Sequence, residues 1–540
     1  MKNIYYKLSI IFLTAFIVAC SSEDDLTEDW IDANEVEVIA PVSGDLDLSN
    51  YVAVGNSLTA GFADNALFPD GQANSFPNIL AGQFALAGGG SFVNPDIVSG
   101  NGNSGGSPAS GRLFIDLEEA LAALAGDPDA SIGNAIVPTA PSAITTSSVT
   151  GAGLNNFGVP GARVVDIVTA GYGTLNPFFG AFQTSGTTSV IADAASASPS
   201  FFTLWIGSND VLGYAASGGA FGETFDPFNP ATITDQGTFA ASLDAVLDAF
   251  GNTEGVILNI PPVTIIPYFQ IVTELSGGIN VLPAGSIDAA TAAFLNSVSG
   301  YGAYNAGLDA LVGVAPGFTQ AEADFRKITF SADVANSPVI TDESLTDLSG
   351  FGLASIRQAQ VDPTTGASDL FPLTALDSLG VERIEGNSAT TLGVGIPLPD
   401  QYTLTMDEQS NVIAAYAGFN MAIAAEADAR SNVTLVDVGP LFADMFGLIS
   451  AQAAGLQLSA AAQAAADGDM GVESGGINLV PLSLSQEELY NSVWSVDGVH
   501  PNPRGNALLV NEIIMVLNDT YNATIPEVNP LEFEPINAPF

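Results

Sequence analysis

The chain has 540 residues, 47% hydrophobic and only 13% charged, which supplies a large core and excludes disorder over most of its length. Its 59 acidic residues face 10 basic ones, a formal charge of −49, so nucleic acid and anionic membrane surfaces are poor partners. One cysteine excludes an intramolecular disulfide, and one histidine leaves a single side chain of the type most used as a general base near neutral pH.

In chain order, the first segment reads as an address. Met1 to Lys7 carries two lysines and no acid, and Leu8 to Ala19 is an apolar run shorter than the roughly 20 residues that span a bilayer. Cys20 follows Ile17-Val18-Ala19, and this arrangement resembles the lipobox of bacterial lipoproteins. The resemblance implies a signal peptide over residues 1–19, lipidation at Cys20 and a membrane partner reached through that lipid. The acidic Ser21-Ser22-Glu23-Asp24-Asp25 resembles the surface-export signal of Bacteroidetes lipoproteins, which implies an outer-membrane lipoprotein displayed at the cell surface. An ordinary secreted protein, or an uncleaved anchor, with an incidental cysteine is the other reading. Residues 20–45, acidic with scattered apolar residues, read as a tether.

Residues 46–525 read as one domain of alternating strands and helices, with a tail over 526–540. Tyr51-Val52-Ala53-Val54, closed by Gly55, is a buried strand. Ser75-Phe76-Pro77 opens a helix, with proline in the first turn. Phe201 to Ile206 is a second strand, Thr238 to Phe250 an amphipathic helix, and Gly255 to Ile260 a third strand stopped by Pro261-Pro262. Thr405 to Ala429 is a long helix, with Thr405 and Glu408 at the spacing of a capping box. Val433 to Val438 is a fourth strand and Pro503 to Leu517 a closing helix. Short strands separated by helices predict an α/β fold: a three-layer sandwich with a central parallel sheet and helices on both faces. Three stretches break the rhythm and read as insertions: 88–150, rich in Gly and Ser; 212–237, rich in Gly and Phe; and 275–400, with a possible helix near 288–312.

Four short segments carry chemistry. Gly55-Asn56-Ser57 leaves the first strand, placing Ser57 at a carboxyl end, although Thr59 stands where a nucleophile elbow needs glycine. Gly161, after Pro160, allows close backbone approach. Gly207-Ser208-Asn209-Asp210 ends the second strand and offers an Asn amide to a developing oxyanion. Asp497 lies three residues before His500 and is placed to orient its imidazole.

Together these four segments resemble, in content and order, the blocks of the SGNH hydrolases, also called the GDSL esterase and lipase family. Asn56 stands where that family has an aspartate before the nucleophile. The resemblance implies a flavodoxin-like fold and a serine esterase or lipase. Ser57 would be the nucleophile, His500 the base and Asp497 its orienting acid. The Ser57 and Gly161 backbone N–H groups and the Asn209 side chain would form the oxyanion hole. No cofactor is implied. The acids are scattered, without calcium-loop spacing, so no metal site is expected. Phe178, Phe179 and Phe182, with Phe221, Phe225 and Phe228, could line an acyl site or simply pack. The substrate stays open between an acyl lipid and an acylated carbohydrate. A non-catalytic lipoprotein that binds glycan or lipid on the same scaffold is the rival reading.

Overall fold

The apolar runs assemble into a single parallel sheet in the computed structural model. It describes residues 40–534 except 117, 120–131, 277, 386, 443–444 and 446–492. Residues 1–42 form a separate unit of which only 40–42, outside regular structure, are described, so the expected leader and Cys20 lie outside the described residues. The second unit begins at Ser43 and holds the sheet.

The sheet contains β1 (Tyr51–Gly55), β2 (Asn156–Gly158), β3 (Phe201–Trp205), β4 (Glu254–Leu258) and β5 (Val433–Val436), in the order β2-β1-β3-β4-β5. Every neighbouring pair is parallel. Every residue of β1 and β3 is buried, as expected of strands covered on both faces. Four of these strands arise from apolar runs. β2 does not: its three residues, Asn-Phe-Gly, hold no apolar run, and its strand form comes from pairing along β1.

Among its helices are α1 (Phe76–Leu86), α2 (Asn209–Ala216), α3 (Gln236–Phe250), α4 (Met406–Ala429) and α5 (Pro503–Tyr521). Strand parity shows that they cover both faces. Phe76 of α1 meets Trp205 edge-on at 5.6 Å, whereas Phe250 of α3 stacks on Phe202 at 4.3 Å. Residues 202 and 205 are three apart in one strand, so they point to opposite faces. α5 packs beside α1. α4 packs beside α3, where Phe419 stacks on Phe239 at 4.2 Å. The three layers expected from the sequence are therefore present.

Helix starts obey local chemistry. Thr405 and Glu408 form the expected capping box. α3 begins two residues earlier than its apolar pattern, because the Asp235 side chain accepts from Thr238 N at 2.9 Å and caps it.

The irregular stretches are more ordered than their composition suggests. Within 88–150, Leu113–Ile115 pairs antiparallel with Ile136–Pro138. Residues 212–216, read as the start of an insertion, continue helix α2, with Val211, Tyr214 and Ala215 buried. In 275–400 the possible helix is two, Ala289–Leu295 and Tyr301–Leu311. That stretch also holds an antiparallel pair, Val339–Thr341 with Ile356–Gln358. It builds apolar clusters of its own, around Ile328, Ile340 and Leu308. Arg357 is buried there between Asp342, at 2.6 Å, and Asp369, at 2.5 Å. Of the expected tail, residues 526–534 pack on α5: Asn511 and Val528 exchange hydrogen bonds of 2.9 and 2.8 Å.

Candidate active site

Parallel strands end on the same edge of a sheet, and loops beyond the carboxyl ends form the usual site of such folds. Gly55, Gly158 and Trp205 end β1, β2 and β3 in register, so Ser57, Gly161 and Asn209 leave the sheet side by side.

Ser57 opens a single helical turn, Ser57–Ala60. Asn56 caps that turn, its Oδ1 accepting from Leu58 N at 3.0 Å. An aspartate would cap equally well, so asparagine at this position keeps the local structure. Ser57 Oγ lies 2.8 Å from His500 Nε2, across 443 positions of sequence. His500 Nδ1 lies 2.9 Å from Asp497 Oδ2. The His500 ring rests against Phe62, with centroids 5.1 Å apart.

Asp497 is enclosed by donors. Oδ1 accepts from Ser495 Oγ at 2.7 Å, Val499 N at 2.8 Å and His500 N at 3.0 Å. Oδ2 accepts from Asn65 N at 2.8 Å as well as facing the imidazole. Burial pushes this carboxyl up, but the His500 imidazole and these donors outweigh burial and hold it well below the usual carboxylate range.

Asn65 reaches Asp497 from a turn that the sequence did not reveal. Ala63 and Ala66 exchange backbone hydrogen bonds, and Asp64 and Asn65 between them have φ of +50° and +58°. Adjacent left-handed residues are characteristic of tight hairpin turns, and Asp and Asn tolerate them best after glycine. Asp64 is itself buried. Its Oδ1 accepts from Val496 N at 3.1 Å and its Oδ2 from Arg112 Nη2 at 2.6 Å. Burial pushes the Asp64 carboxyl above its usual range, Arg112 opposes this, and Asp497 adds to it. Arg112 lies within the 88–150 stretch, with Phe68 4.0 Å and Phe114 5.0 Å from its guanidinium. That stretch is therefore part of the support for Asp497, and sequence spacing carried no signal of it.

Gly161 has φ +80°, a conformation suited to glycine, in the turn after β2. Among the described residues neither its backbone N–H nor that of Ser57 has a hydrogen-bond partner. Asn209 donates one amide proton to Ala162 O at 3.0 Å, which leaves the second free. Asp210 links the two loops: its Oδ2 accepts from Val164 N at 2.9 Å. Burial pushes Asp210 up to about 7.

Ser57, Gly161, Asn209 and His500 share a cavity of about 700 Å³. Phe62, Phe178, Leu175, Leu212 and Phe228 supply its apolar wall, and Gly105 and Gly106 close one side. The six phenylalanines singled out from the sequence divide. Phe178 and Phe228 line this cavity, Phe179 and Phe182 are core, Phe225 lies over Arg163, and Phe221 is exposed. All five residues expected at the site thus converge. Among the described residues the one group of metal-ligand side chains lies elsewhere, at Glu343, Asp400 and Glu408. Comparison of the chain with known protein families, with curated proteins and with solved structures finds no match.

Proposed function

We propose that this chain is a serine ester hydrolase of the SGNH type. The observation that carries the reading is the continuous hydrogen-bonded line from Ser57 Oγ through His500 to Asp497, at the carboxyl ends of a parallel sheet. In the proposed reaction Ser57 Oγ attacks the ester carbonyl while His500 Nε2 takes its proton. His500 then protonates the leaving alcohol, and water repeats the attack on the acyl-enzyme with His500 again as base. Asp497 fixes the tautomer that presents Nε2 to Ser57 and stabilises the imidazolium. The two backbone N–H groups and the free amide proton of Asn209 receive the oxyanion. Asn209→Ala is expected to lower kcat by about 100-fold or more, measured on a nitrophenyl ester, and an unchanged kcat would remove Asn209 from the hole.

The cavity favours an apolar acyl group over a sugar. Apart from the groups assigned to the reaction, its polar side chains Arg163, Asn176 and Ser104 are already bonded within the protein, largely to backbone groups. Arg163 donates to Asp166 and to the carbonyls of Asp226, Pro227 and Asn229. Asn176 bonds Pro160 O, the Tyr172 hydroxyl and two backbone N–H groups. Ser104 Oγ accepts from Gly106 N and Ser110 N. A carbohydrate would find few free partners, whereas an acyl chain would meet phenylalanine and leucine. Lipid anchorage through Cys20 at the cell surface is part of the same proposal, supported by the leader sequence.

The test combines a fluorophosphonate probe with nitrophenyl esters of increasing chain length. Labelling that is lost in Ser57→Ala is expected, with kcat/KM rising by about fourfold per methylene until the cavity is filled. No labelling of the folded protein would overturn the hydrolase and favour a binding role. Labelling with best turnover on acetate or acetylated glycan would overturn only the acyl preference.

A further inference from the structure

The acids that look scattered in the sequence converge at one place away from the cavity. Glu343, Asp400 and Glu408 each offer a carboxylate oxygen, and these oxygens lie within 4.8 Å of one another. Glu408 is only 4% exposed. Its Oε2 accepts from Thr405 N at 2.6 Å and Thr405 Oγ1 at 2.8 Å as part of the capping box. Its Oε1 is enclosed and has no hydrogen-bond donor, and the same holds for Asp400 Oδ1. Arg357 does not neutralise these acids, since Asp342 and Asp369 already flank it. Among the described residues no ion pair reaches any of the three acids.

The surrounding backbone is folded onto this oxygen cluster. Gly218 and Gly219 have φ of +60° and +71°, and a Cβ on Gly219 would fall 2.1 Å from Glu408 Oε1. A Cβ on Gly218 would fall 2.3 Å from Asp400 O. The turn after α2 is thus pressed directly against the unpartnered oxygen. Like charges held this close without a counter-charge cannot all stay ionised: a proton or a cation must join them. An all-oxygen set drawn from carboxylates is the donor chemistry of hard divalent ions, and an irregular set suits calcium better than the strict octahedron of magnesium.

We propose that Glu343, Asp400 and Glu408 bind a calcium ion that pins the turn after α2 to the start of α4 and to the 275–400 stretch. The α2 turn leads on to Phe228 of the cavity wall, so the ion would brace that wall from outside without entering the chemistry. Glu408→Gln keeps an acceptor for the Thr405 cap while removing the charge, and Glu343→Gln alters only an exposed member.

The test titrates calcium chloride into the EDTA-stripped full chain, by calorimetry and by thermal unfolding. One binding event, with Tm rising as calcium is added, is expected for the wild type. Glu408→Gln should show neither. Glu343→Gln should bind with affinity weakened by about tenfold or more. A wild type with no binding heat and no calcium-dependent Tm would overturn the proposal and leave protons as the neutralising partner. Binding of wild-type strength in both variants would also overturn it, by placing the ion elsewhere on the acidic surface.

Discussion

His500→Ala is expected to lower ester turnover by about 10⁴- to 10⁶-fold while leaving the fold intact. The side chain sits at the rim of the cavity, joined to Ser57 at 2.8 Å and to Asp497 at 2.9 Å, and its neighbour Phe62 has other core partners. Alanine therefore removes the base without opening a deep void. No other histidine exists in the chain to take over. Residues that act as one unit are strongly non-additive, so the Ser57→Ala/His500→Ala double variant should be no slower than either single one. The measurement is steady-state hydrolysis of a nitrophenyl ester, with circular dichroism to establish folding. Activity of the folded variant within about tenfold of wild type would remove His500 from the reaction.

Arg112→Ala is expected to destabilise the protein by about 3–5 kcal/mol, because it leaves Asp64 buried without its ion-pair partner. The two side chains are nine-tenths or more buried and lie 2.6 Å apart. The damage should reach catalysis. Asp64 holds the Val496 backbone at 3.1 Å, and the turn it shares with Asn65 delivers an N–H to Asp497. A drop in kcat is therefore expected below the melting transition, with KM for a short ester little changed, since Arg112 does not line the 700 Å³ cavity. The Asp64→Asn/Arg112→Met pair should be more stable than Arg112→Ala alone, since it leaves no buried charge unpaired while asparagine keeps the left-handed turn and the acceptor for Val496 N. Urea midpoints of wild type, single and double variants decide this. A loss below about 1 kcal/mol in Arg112→Ala would mean that the pair does not brace the site.

Much of the scaffold was legible from local chemistry. The capping box at Thr405 and Glu408, the proline in the first turn of α1, and the apolar runs of β1, β3, β4 and β5 each depend on a few neighbouring residues. The candidate site residues were legible as well: Ser57 and Asn209 stand just past readable strands, Asp497 stands three residues before His500, and Gly161 follows a proline. β2 was not, since Asn-Phe-Gly becomes a strand only by pairing with β1. Neither was the turn at Asp64 and Asn65, which lacks the glycine that usually marks such a turn.

What the sequence determined by itself is the set of local preferences: which segments bury, where helices begin, and which side chains can carry a proton or meet an oxyanion. Those depend on neighbours a few positions away. What only the tertiary structure decided is which distant residues share an environment. Arg112 meets Asp64 across 48 positions, Asn65 meets Asp497 across 432, and Glu343 joins Asp400 and Glu408. The physical reason is that burial and unlike or like charge act through space. A carboxylate that looks like one of 59 solvated acids becomes the partner of a histidine, an ion-pair partner or a close neighbour of two other acids only when folding encloses it.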